Sequence, residues 1–247
     1  MSNKAKILVL VEGAKDDVKL MGHLFGIYGI SNSHQIVSYN TNIYDLYEHM
    51  FAENNPSDID LQQLLKEREP DPNKKAILDD YYSDKLLIFD MDPQDPRFSS
   101  DKLAQMIDYF TESSDMGKLY INYPMVEAFY HMKSIPDKEF YGYCAELKEL
   151  KEHKYKSRVA EECRNKNRSK FAVNRQECNN VIKQNMEKSR IICFGYNDTA
   201  CLIPESKAIL EQQLKKLNDE KNVFVLCTCV FYIPEYNKKL IESESSD

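Results

Sequence analysis

The chain has 247 residues, a net charge of −7 and 42% hydrophobic residues. That admits one large α/β domain with an insertion, or two small domains, and excludes a globally disordered chain. Its seven glycines exclude a collagen-like or Gly-rich linker protein, and no run approaches the roughly 20 apolar residues that span a bilayer.

The opening Met1-Ser2-Asn3-Lys4-Ala5-Lys6 lacks an apolar stretch and a small-residue cleavage site, so no secretory signal is expected. Ile7-Leu8-Val9-Leu10-Val11 then reads as a strand buried on both faces, ending abruptly at Glu12-Gly13. Val18, Met21 and Phe25 mark one face of a helix that stops near Gly26 and Gly29. A second strand is predicted at Gln35-Ile36-Val37-Ser38-Tyr39. A helix with Ile43, Leu46, Tyr47 and Met50 on one face follows, capped by Thr41 or Asn42.

Residues 54–72 are acidic and broken by prolines, with a short helical piece around Leu61, Leu64 and Leu65. Lys85-Leu86-Leu87-Ile88-Phe89 is another buried strand, running into Asp90-Met91-Asp92-Pro93. Leu103, Met106, Ile107 and Phe110 line a helix over about 100–110, residues 118–123 form the next strand, and 125–132 reads as a helix. The first 135 residues therefore alternate strand and helix four times, which predicts a Rossmann-like, doubly wound parallel sheet. Residues 145–190 read as one or two long helices forming a basic insertion. A further helix is expected at 205–218, and 223–233 as a last strand running into a helix. The tail 242–247 is expected to fray. The organisation expected is an α/β core over 1–140, a basic helical insertion over 141–190, and a completion of the core over 191–247.

In doubly wound sheets ligands bind at the carboxyl ends of the strands. Glu12, Asp90, Asp92 and the turn Asn122-Tyr123-Pro124 all fall there. Two carboxylates at i and i+2 past a strand end can reach one divalent cation, and hard oxygen donors suit Mg²⁺ or Mn²⁺. A carboxylate from the neighbouring strand end could share the metal or move a proton. Gly13 would let a phosphate approach the helix start. Asp16 and Asp17 read as first-turn helix residues favoured by the macrodipole. His23, His49 and His131 lie in predicted helices without ligand-like spacing and read as structural.

These segments resemble a known family. Ile7-Leu8-Val9-Leu10-Val11-Glu12-Gly13 resembles the first Toprim motif, and Leu87-Ile88-Phe89-Asp90-Met91-Asp92 resembles the second. The likeness covers roughly residues 5–135 and is nearest to the nuclease-like branch of phage-defence and abortive-infection proteins, including the RloB-like group. Asn122-Tyr123-Pro124-Met125-Val126-Glu127 is similar to that group's Asn-Pro turn before a Glu-bearing helix, with one residue inserted. The resemblance implies metal-dependent cleavage or transfer at a nucleic-acid phosphodiester. In it Glu12 is the general acid/base, Asp90 and Asp92 hold the metal, and Glu127 is a further ligand. Pro93-Gln94-Asp95-Pro96 departs from the small residue that often follows the second motif, which implies a reshaped loop.

Seven cysteines at irregular spacing, without a C-x-x-C pair, are expected to be reduced thiols of a cytoplasmic protein. From Lys148 to Arg190 there are 13 Lys/Arg against 6 Asp/Glu, so this stretch carries +7 and the rest of the chain −14. Lys154, Lys156, Arg158, Arg164, Lys166, Arg168 and Lys170 are the candidates to grip a nucleic-acid backbone, with Tyr155 and Phe171 to stack on bases. The competing reading of the stretch is a solvated helical face with ordinary Glu/Lys pairs.

Three functions compete. The first is a metal-dependent nuclease acting on DNA or RNA in phage defence, with control by a partner ATPase or sensor protein and homodimer formation left open. The second is a catalytically silent Toprim-like module that binds a nucleic acid, a nucleotide or a partner protein. The third, a receiver-like domain, ranks last because Asp16 and Asp17 sit inside the helix. No P-loop and no G-x-G-x-x-G after a strand is present.

Overall fold

A computed structural model describes residues 6–52, 55–196 and 203–242. The tail from 243 onward and Cys201 lie outside them. The protein has a Rossmann-like α/β fold with a five-stranded, mostly parallel sheet flanked by helices.

Strand β1 (Ile7–Val11) is buried at every position, as its unbroken apolar run requires. Helix α1 (Asp16–Tyr28) ends at Gly29, whose left-handed backbone (φ 69°) lets the terminal N–H groups return to the last carbonyls. Strand β2 (His34–Ser38) leads to α2 (Ile43–Phe51), capped by the Asn42 side chain accepting from Asp45 N–H. The proline-broken stretch holds two short helices, α3 (Leu61–Arg68) and α4 (Pro72–Leu78), capped by Asp60 and Asp71. Strand β3 (Asp84–Asp90) is followed by α5 (Ser100–Tyr109), capped by Ser99, then by β4 (Thr111–Glu112) and β5 (Gly117–Asn122).

The strand order is β2-β1-β3-β5-β4. β1 pairs in parallel with both β2 and β3, while β4 and β5 pair antiparallel. From β1 the chain first winds outward to β2 and then crosses back to β3 on the other side. The direction of winding therefore reverses between β1 and β3, which is where such sheets open a crevice for ligands.

Beyond β5 the expectations hold less well. The helix expected at 125–132 is a single 3₁₀ turn, Val126–Phe129. The segment expected as one or two long helices is broken into pieces: β6 (Cys144–Glu146), α6 (Leu147–Lys151), α7 (Tyr155–Glu162) and α8 (Arg175–Phe194). His153, with φ 56°, and the turns around Asn167 and Asn174 interrupt what charge alone suggested was continuous. Helix α9 (Ser206–Glu220) precedes β7 (Asn222–Phe224) and α10 (Tyr232–Tyr236). β7 does not join the central sheet. It pairs antiparallel with β6 in a separate two-stranded sheet.

The chain divides into two compact units, residues 1–90 with 97–120, and residues 91–96 with 121–247. The division falls within β5 and again just after β3, so neither boundary coincides with 140/141 or 190/191, and α8 runs through the latter. In the first unit Leu8, Val9, Leu10, Leu86, Leu87 and Ile88 form the sheet's buried centre. In the second unit Phe129, Tyr130 and Phe171 form an edge-to-face aromatic cluster.

Candidate functional site

In the first unit, parallel pairing aligns Val11 with Ile88 and brings the ends of β1 and β3 side by side. The Glu12 N–H donates to the Ile88 carbonyl at 3.0 Å, extending the ladder by one step. The Glu12 carboxylate then accepts from the Asp90 backbone N–H at 3.1 Å. This fixes Glu12 across the mouth of the crevice at the point where the winding reverses. On its other flank the Glu12 carbonyl accepts from Asn40 N–H at 2.9 Å, so the strand ends read Asn40, Glu12, Asp90 across the sheet edge. The Asp90 residue is buried, with 7% exposure.

Asp17 is a buried carboxylate that sequence reasoning assigned only to the helix's first turn. A Cβ at Gly13 would lie 2.6 Å from Asp17 Oδ2, so a side chain at position 13 is excluded by that carboxylate. The space beside Gly13 expected to admit a phosphate is therefore occupied by an acid.

In the second unit, Asp92 sits on a left-handed backbone (φ 42°), with its N–H on the Pro124 carbonyl at 3.1 Å and its carbonyl taking Asp95 N–H at 2.9 Å. Its Oδ1 accepts from Gln94 Nε2 at 2.8 Å. Burial pushes the Asp92 carboxyl upward, and Asp95 and Glu127 add to this, while the Gln94 hydrogen bond and Lys156 oppose it. Glu127, on the 3₁₀ turn, is 1% exposed. Its Oε1 takes the Arg168 guanidinium at 3.3 Å and the Lys156 ammonium at 3.3 Å. Its Oε2 and Gln94 Oε1 are buried without a hydrogen-bond partner. A buried oxygen left this way costs free energy unless something pairs with it.

Among the described residues no group of three or more His, Cys, Asp or Glu side chains is gathered as a ready cation cage. The donors present nevertheless suit Mg²⁺ or Mn²⁺. Such ions take one or two carboxylates, keep several waters and leave room for phosphate oxygens. Asp92 and Glu127 supply hard oxygens of that kind, with Gln94 as a neutral donor beside them. Sequence reasoning passed over Gln94, whose signal was the turn Pro93-Gln94-Asp95-Pro96 next to the second motif.

The basic candidates separate into three groups. Lys156 and Arg168 meet Glu127. Arg158 bonds the Cys144 carbonyl at 2.8 Å and Glu149 at 2.6 Å, Arg164 pairs with Glu177 at 2.7 Å, and exposed Lys154 pairs with Glu152 at 2.6 Å. Lys166 and Lys170 are exposed on the turns between α7 and α8. Tyr155 and Phe171 are buried and cannot stack on bases. Tyr155 instead donates its hydroxyl toward His131 Nδ1 at 3.2 Å, and His131 Nε2 meets Glu162 at 3.1 Å. The six described cysteines form no disulfide.

No protein-family model, no curated protein and no solved structure matches the chain. No helix among the described residues is long and apolar enough to cross a membrane.

Proposed function

We propose that the chain is a metal-dependent nuclease of Toprim type, acting on DNA or RNA phosphodiesters in the cytoplasm, with a role in phage defence. The observation that carries this reading is the Glu12 carboxylate held by the Asp90 N–H at the reversal point of the sheet. An acid at that strand end would take a proton from a nucleophile or give one to a leaving oxygen. Within the second unit Asp92 and Glu127 would hold Mg²⁺ or Mn²⁺, with the otherwise unpaired Glu127 Oε2 and Gln94 Oε1 as further oxygen donors, and the Toprim resemblance implies a metal-holding role for Asp90. When bound, the cation supplies charge stabilisation for the phosphoryl oxygens and a more acidic water. Lys156 and Arg168, already drawn to Glu127, would offset the phosphate charge, and Lys166 and Lys170 would hold the backbone further away. A partner ATPase or sensor protein would supply control.

The test is incubation with supercoiled plasmid, single-stranded DNA and bulk tRNA, with Mg²⁺, Mn²⁺ or chelator. Metal-dependent cleavage of one class is expected. The second reading is a catalytically silent module that binds nucleic acid, nucleotide or a partner protein. Binding of one of the three substrates without cleavage under any metal condition would establish it for nucleic acid.

A further inference from the structure

The first unit contains a cleft of about 320 Å³ at the carboxyl end of β2. One wall is the strand end and its turn, including Asn40 and Thr41, and the other comes from α3, α4 and the chain between them. Asn40 adopts a left-handed backbone, φ 64°, which Asn tolerates better than most residues. Its N–H is the group that bonds the Glu12 carbonyl, so the cleft begins one strand away from Glu12.

The lining has a particular chemistry. Leu65 and Leu78 provide apolar surface. Glu69 brings a carboxylate into the wall although the residue is 8% exposed. One of its oxygens accepts from Asp71 N–H at 2.9 Å, and the other lies 3.7 Å from Lys74. Arg68 is held over the Tyr39 ring, 5.4 Å from its centroid, by the Asp45 carboxylate at 2.8 Å. Apolar faces, one acceptor-only group and a fixed guanidinium suit a flat ligand with a polar edge and a negative tail. The volume is that of a small-ligand site.

We propose that this cleft binds a nucleotide whose base carries an amino group, with Glu69 accepting from that group, Leu65 and Leu78 against the base, and Arg68 facing the phosphate side. Guanine, adenine and cytosine present such a donor, whereas uracil presents one N–H between two carbonyls that a carboxylate repels. The inference rests on the reading of the chain as acting on nucleic acid, and it makes the cleft the seat of a base next to the reacting phosphate.

The test is calorimetric titration of the full chain with GMP, AMP, CMP and UMP, without divalent metal. At least one amino-bearing nucleotide is expected to bind about tenfold more tightly than UMP, the worth of one charge-assisted hydrogen bond. Glu69→Gln, which keeps an acceptor for Asp71 N–H, is expected to remove that preference. Leu78→Phe, which fills the cleft, is expected to abolish binding of all four with the melting temperature monitored as a check on folding. Equal affinity for UMP, or no binding of any mononucleotide at millimolar concentration, overturns the proposal even if the chain cleaves nucleic acid. Selective binding by a chain that cleaves nothing sustains the cleft and sinks the nuclease reading alone.

Discussion

The backbone N–H of Asp90 donates to the carboxylate of Glu12 at 3.1 Å, joining the ends of two parallel strands. That bond links local sequence to chemistry, because β1 and β3 are aligned by their apolar runs and the acids appear only where those runs stop. An isosteric Gln at position 12 retains an acceptor for the Asp90 N–H. Charge and proton affinity at that point can therefore be removed without removing the hydrogen bond.

Metal binding is expected to depend on Asp92 and Glu127. Asp92→Asn and Glu127→Gln should each weaken Mn²⁺ affinity by on the order of tenfold or more, since each removes one hard anionic donor. Titration followed by the electron paramagnetic resonance of free Mn²⁺ checks this. Unchanged affinity in both variants would show that these carboxylates do not hold the ion.

The basic residues should divide by their partners. Replacing exposed Lys166 and Lys170 together with Ala should leave stability within about 0.5 kcal/mol and lower the salt dependence of nucleic-acid binding by roughly two phosphate contacts. Arg158→Ala should instead destabilise the fold by about 1–2 kcal/mol, because it removes the guanidinium's bonds to the Cys144 carbonyl and to Glu149. Urea unfolding and binding measured at several salt concentrations separate the two effects.

His131 makes stability pH-dependent. Burial lowers its folded pKa to about 4 from an ordinary 6.5, with the Glu162 hydrogen bond opposing the shift. The neutral ring fits its surroundings, with Nδ1 accepting from Tyr155 and Nε2–H donating to Glu162. Between pH 6.5 and 4 the unfolded chain takes up a proton that the folded chain does not. Stability therefore falls as pH falls through that window, by up to about 3 kcal/mol. Urea unfolding at pH 7, 6, 5 and 4 should show this loss, and His131→Gln should flatten it. Equal slopes in wild type and variant would contradict the assignment.

Much of the first unit was legible in the sequence. Continuous apolar runs gave β1 and β3 nearly to the residue, and the apolar stripe of α5 is the buried face seen, with Leu103, Met106 and Ile107 inward. Turn chemistry narrowed the cap of α2 to Thr41 or Asn42, and Asn42 is the residue that accepts from Asp45 N–H. The region after β5 was less legible because its charges are not confined to one solvated face. Lys188 was counted in the basic stretch, yet its ammonium is buried under Phe140 and bonded to the Phe140 and Tyr143 carbonyls, and burial lowers its pKa to about 7. Charge counting cannot distinguish such a lysine from one that binds phosphate. Position along the chain likewise cannot show that Lys156 and Arg168 converge on Glu127, since that contact joins residues about 30 and 40 positions apart. Gln94 was missed because an amide has no charge to mark it.

The most direct test of the central claim is the single-turnover cleavage rate of the preferred nucleic acid in Mg²⁺ or Mn²⁺, for wild type against Glu12→Gln and Asp90→Asn. With folding verified by melting temperature, Glu12→Gln is expected to lose about 10²–10⁴-fold in rate, the usual worth of a positioned acid or base, and Asp90→Asn is expected to lose rate through a weakened hold on the cation. Cleavage at the wild-type rate in Glu12→Gln would contradict the account and place the chemistry elsewhere in the chain.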